Sequence, residues 1–306
     1  MAVDSASWPR NRPGPAASDD DATRDTGRLL ISCPDRPGIV SVVAGHLFRQ
    51  GATITESQQY TTDPTGGRFF LRVEFLLPEL ERRMIDLEHG FASLPESADM
   101  DWRFAVAARR KRLAIMVSTA DHALQELLWR HKTGDLHATI SMVLSNHRDL
   151  EETAAGWGIP FHHIPVTRET KRHAEAEALK LLVGTVDCVI LARYMQVLSA
   201  EFLDRFPHQA INIHHSFLPA FVGANPYAAA ARRGVKLIGA TAHYVTPELD
   251  AGPIIEQDVC RVDHRYSVDQ LRRAGRYVER AVLARAVSWH VDDRVIVHDD
   301  KTIVFA

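Results

Sequence analysis

Between residues 111 and 191, short apolar runs alternate with segments of helical periodicity, and this limits the fold more than any other feature of the chain. The runs LAIMVS, ATISMVLS, PFHHIPV and VDCVILA read as strands, with helices expected at 121–132, 148–156 and 169–183 between them. Strands separated by helices of about three or four turns imply a parallel sheet with right-handed crossovers. A long helix over 267–289 and a hairpin, RVIVHDDKTIVF, close the chain. The second half is therefore α/β and Rossmann-like, with a mostly parallel sheet.

The first half has a different texture. LLISC reads as a strand, and Pro34-Asp35-Arg36-Pro37-Gly38 as a turn into a helix carrying Ile39, Val42, Val43, His46 and Leu47 at helical spacing. Gly51 stops that helix. ATITESQQYTT and RFFLRVEF are strands joined through Asp63-Pro64-Thr65-Gly66-Gly67, residues 79–94 form a second helix, and DWRFAVAA is a last strand. The order βαββαβ is that of a ferredoxin-like sandwich. Residues 1–26 are Pro-rich and then acidic, with almost nothing to bury, and are expected to be a disordered tail. The run ARRKR at 108–112 reads as a solvated basic hinge. The expected organisation is a tail over 1–26, a small domain over 27–108 and a larger one over 109–306.

Composition narrows the class of function. With 306 residues the chain can build two cores, and its 45% hydrophobic and 25% charged content is ordinary for a globular protein. A net charge of −3 speaks against a nucleic-acid surface. No apolar run reaches the ~20 residues that span a bilayer, and the N-terminal residues lack the order of a signal peptide. Cys33, Cys188 and Cys260 lie far apart and form no Cys-x-x-Cys pair, which fits a reducing, cytoplasmic setting.

Chemistry concentrates in residues 208–258. Asn212-Ile213-His214 ends a short strand, so Asn212 and His214 face the same way. A helix at about 226–234 and a strand at about 236–246 follow, and Asp250 sits in the turn Leu249-Asp250-Ala251-Gly252. An amide, an imidazole and a carboxylate thus come together at strand ends, where open α/β sheets carry their sites. The imidazole exchanges protons near neutral pH, a neighbouring carboxylate is expected to raise its pKa, and the amide can donate to an oxyanion. No Gly-x-Ser-x-Gly elbow is present, and Ser216 lacks that turn, so water or an amine is the expected attacking group. His214, His215, His243 and Asp250 would also suit zinc, but adjacent histidines on a continuing strand face opposite ways, and no His-Glu-x-x-His pattern supports a metal. Among 16 histidines, His215 and His243 are equally readable as core residues with satisfied hydrogen bonds.

Two resemblances bear on these readings. Cys33-Pro34-Asp35-Arg36-Pro37-Gly38-Ile39-Val40 resembles the start of an ACT domain, which implies a regulatory ligand at Asp35, Arg36, Gly38 and Ile39. Asn212-Ile213-His214 with Ser216, Leu218 and Pro219, followed by Leu249-Asp250-Ala251-Gly252, resembles the formyltransferase fold that handles 10-formyltetrahydrofolate. With the double histidine His214-His215, Gly239-Ala240-Thr241-Ala242-His243-Tyr244-Val245 and Asp263-His264, residues 28–306 are similar to the formyltetrahydrofolate deformylase family.

The resemblance implies a hydrolase of a linear amide C–N bond, releasing formate and tetrahydrofolate for purine synthesis and one-carbon balance. Asn212, His214 and Asp250 would be its catalytic residues. Arg193, Tyr194, Met195, Gln196, Val197, Leu198, His243, Tyr244 and Val245 would contact the folate, with the pterin against 191–198 and the loop 244–250. It implies no cofactor and no metal, a possible amino-acid effector such as glycine or methionine, and a homo-oligomer. Ala123, Gln196 and Asn225 depart from the residues expected of that family, a cysteine at the first position and cations at the other two. Two other functions compete with hydrolysis: formyl transfer to an amine such as that of glycinamide ribonucleotide, and non-catalytic sensing of folate or amino acids. The loop Ser118-Thr119-Ala120-Asp121-His122-Ala123-Leu124 has no glycine to cradle a phosphate and carries an acid, which argues for water as the acceptor.

Overall fold

The computed structural model describes residues 23–63, 65–219 and 226–306. The chain divides into two units between Arg109 and Arg110. The first runs β1 (Thr26–Pro34), α1 (Ile39–Arg49), β2 (Thr53–Thr61), β3 (Arg68–Leu76), α2 (Leu80–Ala92) and β4 (Asp101–Val106). Its strands form one antiparallel sheet in the order β2-β3-β1-β4, the ferredoxin-like arrangement. Alternate residues of β1, Leu29, Ile31 and Cys33, join Leu47, Leu87 and Phe91 of the helices in one apolar core. Thr26 already belongs to β1, and the Asp25 carbonyl accepts the Leu77 N–H at 2.8 Å. Residues 23–26 are therefore part of this unit and not of a tail, because backbone pairing holds them without any apolar side chain. A 3-10 turn at Pro95–Asp99, which the sequence pattern does not announce, leads into β4.

The second unit follows the strand–helix alternation expected over residues 111–191. It comprises β5 (Lys111–Val117), α3 (His122–Thr133), β6 (Ala138–Ser145), α4 (Glu151–Gly156), β7 (Phe161–His163), α5 (Lys171–Leu182), β8 (Cys188–Leu191), α6 (Ala200–Arg205) and β9 (Gln209–His214). Then come α7 (Pro226–Arg233), β10 (Leu237–Tyr244), β11 (Ile254–Arg261), α8 (Val268–Val291), β12 (Val295–His298) and β13 (Lys301–Val304). The seven-stranded sheet has the order β11-β10-β9-β8-β5-β6-β7. β9, β8, β5, β6 and β7 are parallel, whereas β10 and β11 are added antiparallel.

The chain moves from β5 out to β7 and then returns to place β8 on the other side of β5. Strand order reverses there, and the crevice beyond the carboxyl ends of β5 and β8 is the position such sheets use for ligands. The basic run at 108–112 is only partly a hinge. Lys111 and Arg112 open β5, where Lys111 Nζ donates to Asp293 Oδ1 at 2.6 Å and Arg112 Nη2 to Asp187 Oδ1 at 2.8 Å. Carboxylates brought in from distant parts of the chain turn what reads as a solvated run into ion pairs. Helix α4 is shorter than the 148–156 expected, and α6 and β11 are additions to the expected elements.

Candidate active site

β9 and β10 pair with Asn212 directly opposite His243 and with His214 opposite Thr241. Side chains on one face of such a pair lie close together, and here they form a chain of polar contacts. The His243 ring is fixed first: its Nδ1 lies 2.9 Å from the Tyr244 carbonyl, which only accepts, so Nδ1 carries the proton. Its Nε2 is then an acceptor, and the Asn212 amide Nδ2–H donates to it at 3.2 Å. This sets the Asn212 amide orientation and leaves its second N–H directed elsewhere. Asp250 closes the group, with Oδ2 3.3 Å from His214 Nδ1 and Oδ1 3.8 Å from His243 Nε2.

The loop after β10 delivers Asp250. Thr246 Oγ1 donates to the Glu248 carbonyl, Tyr244 N–H to the Pro253 carbonyl, and Asp250 itself adopts φ +56°. A left-handed non-glycine residue is unusual and marks a conformation held by its surroundings. Gly252 permits the closure: a Cβ there would sit 1.8 Å from the Tyr244 carbonyl oxygen. The second strained residue of the unit's crevice is Arg193, φ +65°, in the loop after β8. That loop is tied to β5 through Ser118, whose hydroxyl accepts the Met195 N–H at 3.0 Å and donates to Asn146 Oδ1 at 2.7 Å.

His214 is only 6% exposed, and its Nε2 has no hydrogen-bond partner among the described residues. Burial pushes its pKa below the ordinary 6.5, outweighing Asp250, which pulls upward; His243 and Arg193 add to the lowering. The carboxylate does raise this pKa, as expected, but desolvation of the imidazolium is the larger effect and the net shift is downward. His243 is likewise lowered, by burial first. His214 therefore rests neutral, with Nδ1–H directed to Asp250 and an unpartnered lone pair on Nε2.

The trio opens on a cavity of about 280 Å³. Arg193, Tyr194, Met195, Gln196, Val197, Leu198, His243 and Val245 line it together with Asn212, His214 and Asp250. Tyr244 does not. Alternation along β10 turns it to the opposite face, where its hydroxyl meets His290 Nδ1 at 3.0 Å, so its assignment as a folate contact is corrected. His215 also lines the cavity, although it had been equally readable as a core residue. Strand β9 ends at His214, so the two rings meet edge to face at 5.2 Å instead of lying on opposite faces of a sheet. Burial, with help from Arg193, pushes His215 down to about 4. Among the described residues, no group of three or more histidines, cysteines or acids is arranged to hold a metal.

Ala123 is buried in the core on α3, Gln196 lines the cavity, and Asn225 lies outside the described residues. In the first unit, Asp35 accepts from Thr61 Oγ1 at 2.6 Å, and Arg36 is paired with Asp99 and donates to the Glu96 carbonyl. Gly38 sits at the start of α1 with φ +93°, and the Ile39 side chain is buried in the core.

Behind the trio lies a second polar cluster that sequence reasoning missed. Glu279, in the middle of α8 and 2% exposed, accepts from Tyr227 Oη at 2.7 Å and lies 2.8 Å from His122 Nε2 and 3.5 Å from Arg193 Nε. Gly275 gives Tyr227 the room to reach it, since a Cβ there would lie 1.9 Å from the tyrosine hydroxyl. Burial alone would raise the Glu279 pKa, but His122, Arg193 and Tyr227 together bring it down to about 2. The signal was available: Glu279 falls on the buried stripe of Leu271, Gly275, Val278, Val282 and Leu283.

An open α/β sheet with an amide and an imidazole at the end of β9 and a carboxylate in the loop after β10 is the arrangement of a formyl transferase unit, and residues 111–287 match the Formyl transferase family model. The formyltetrahydrofolate deformylase of Bacillus subtilis is 54% identical over 286 residues, covering 93% of this chain and 95% of that one. A crystal structure of a formyltetrahydrofolate deformylase from Pseudomonas syringae superposes with a TM-score of 0.86 at 47% identity, covering 92% and 94% of the two chains. A glycinamide ribonucleotide transformylase from Symbiobacterium toebii is more distant, with a TM-score of 0.61 at 28% identity over 66% of this chain and 97% of that one. The chain belongs to the formyltetrahydrofolate deformylase family.

Proposed function

We propose that the protein hydrolyses 10-formyltetrahydrofolate to formate and tetrahydrofolate, with Asn212, His214 and Asp250 as its catalytic residues. The observation that carries this reading is the buried, neutral His214 on the cavity wall, oriented by Asp250 through Nδ1 and without a partner at Nε2. Nε2 takes the proton of a water molecule as its oxygen attacks the formyl carbon. The imidazolium so formed is stabilised by Asp250, and the tetrahedral oxyanion by the free N–H of Asn212. A donor of this kind lowers the barrier by about 3–4 kcal/mol. Collapse of the intermediate breaks the C–N bond, and His214 returns its proton to the departing folate nitrogen, as general acid catalysis requires. The cavity walls formed by residues 193–198 and by His243, Val245, Thr246 and Leu249, apolar with a few polar groups, suit a pterin.

The test is incubation of purified protein with 10-formyltetrahydrofolate, following formate and tetrahydrofolate. Equal release of both without an acceptor supports the reading. Release only with glycinamide ribonucleotide would favour a transferase, and binding without turnover would favour a sensor.

The first unit is read as an amino-acid-binding module at Asp35, Arg36, Gly38 and Ile39. The ferredoxin-like topology and the left-handed Gly38 at a helix start support this. Titrating glycine and methionine against turnover checks it, and a flat response would count against regulation. A homo-oligomer and a cytoplasmic setting complete the proposal. They are supported respectively by the β2 edge of the first sheet and by three unpaired cysteines.

A further inference from the structure

Beside the main cavity lies a second one of about 170 Å³, lined among others by His122, Tyr227, Arg272, Arg276 and Glu279. Three residues line both spaces: Arg193, Met195 and His215. They form a partition between the trio and the side cavity, and Arg193 is its fixed member. Its backbone is held in the left-handed region, and its Nε lies 3.5 Å from a carboxylate anchored by His122 and Tyr227.

We propose that the Arg193 partition, braced by Glu279, determines acceptor specificity by closing off the space a second substrate's amine would need, so that only water reaches the formyl carbon. This rests on the hydrolase reading above and names the feature that keeps the reaction hydrolytic. Size and charge act together. Arg193 lines both cavities and narrows the space between them, and its positive charge disfavours an ammonium group, while water is small and neutral. His215 is pushed down to about 4 and so remains a neutral wall across the working range. When the passage opens, the amine nitrogen forms a new C–N bond with the formyl carbon and gives up a proton. The bond to the folate nitrogen breaks, and that nitrogen takes up a proton, so the products are a formamide and tetrahydrofolate with no redox change.

The test compares wild type with Arg193→Ala and Met195→Ala, each turning over 10-formyltetrahydrofolate in the presence of glycinamide as the probe amine. Products are quantified as formate and N-formylglycinamide. Wild type is expected to give formate alone. Arg193→Ala is expected to raise the formamide-to-formate ratio at least about tenfold, in the range that one altered pocket contact yields, with a smaller rise for Met195→Ala. The ratio is a readout that general loss of stability does not move, since both products come from the same active molecules. Met195 is 56% exposed, so its truncation keeps the test alive if Arg193→Ala does not fold. Variants that turn over but give only formate at saturating glycinamide overturn the proposal. Wild type that releases no formate defeats instead the hydrolase reading beneath it.

Discussion

Glu279, buried, and Asp250, whose side chain is 10% exposed, each meet histidines in the second unit, yet Glu279 has both oxygens engaged while His214 beside Asp250 keeps an unpartnered nitrogen. Glu279 is met by His122, Tyr227 and Arg193, and its pKa falls to about 2 in spite of burial. Asp250 holds His214 and faces His243, but His214 Nε2 has no partner among the described residues, and its pKa falls because the imidazolium is desolvated. A carboxylate with both oxygens engaged resists protonation, while an imidazole with an unpartnered lone pair can take up a proton. The difference separates bracing from chemistry within the same crevice.

That contrast breaks most readily at Asp250. Asp250→Asn keeps the size of the side chain but removes the charge that stabilises the imidazolium. Its kcat for formate release is expected to fall by about 10³ or more, within the range for lost acid–base catalysis, with the circular dichroism spectrum unchanged. Asn212→Ala removes one oxyanion donor and is expected to cost about 10²-fold in kcat with little change in KM. Glu279→Leu should do the reverse. Leaving Arg193 and His122 buried without their acid is expected to lower stability by about 3–5 kcal/mol, read as a fall in the urea midpoint. A Glu279→Leu protein as stable as wild type would dissolve the comparison.

A smaller effect sharpens it. Glu279 is held at about 2 against an ordinary 4.5, so its carboxylate contributes stability that is fully present above pH 4.5 and is lost as pH falls toward 2. Urea midpoints of wild type and Glu279→Gln should therefore converge as pH drops through that window. A difference that stays constant would show that the acid is not preferentially ionised in the folded state.

Much of the fold was legible because β8 and all of β5 past its first two residues are buried and read as apolar runs between amphipathic helices, and β6 is apolar and buried over most of its length. β11 was not, since IIEQDVCR lies at the sheet edge, half polar and with a single fully buried position. The six residues of α6 are too short for periodicity, although Ser199 caps them by accepting from Phe202 N–H. Asn212 and His214 share a face by strand alternation alone, and the same rule turns Tyr244 away from the cavity. Glu279 was illegible in practice. It lies among charged residues on a long helix, and its partner His122 is 157 residues distant. Only its place on the apolar stripe betrays it.

The comparison as a whole rests on His214 being neutral at rest. The pH profile of kcat/KM for formate release tests this directly, since it reports the ionisations of the free enzyme. With burial as the dominant cause, the acid limb is expected below pH 6.5. In the residual activity of Asp250→Asn it should move lower still, because the one carboxylate raising the His214 pKa is gone. An acid limb above 6.5, or one that rises in Asp250→Asn, would contradict the account.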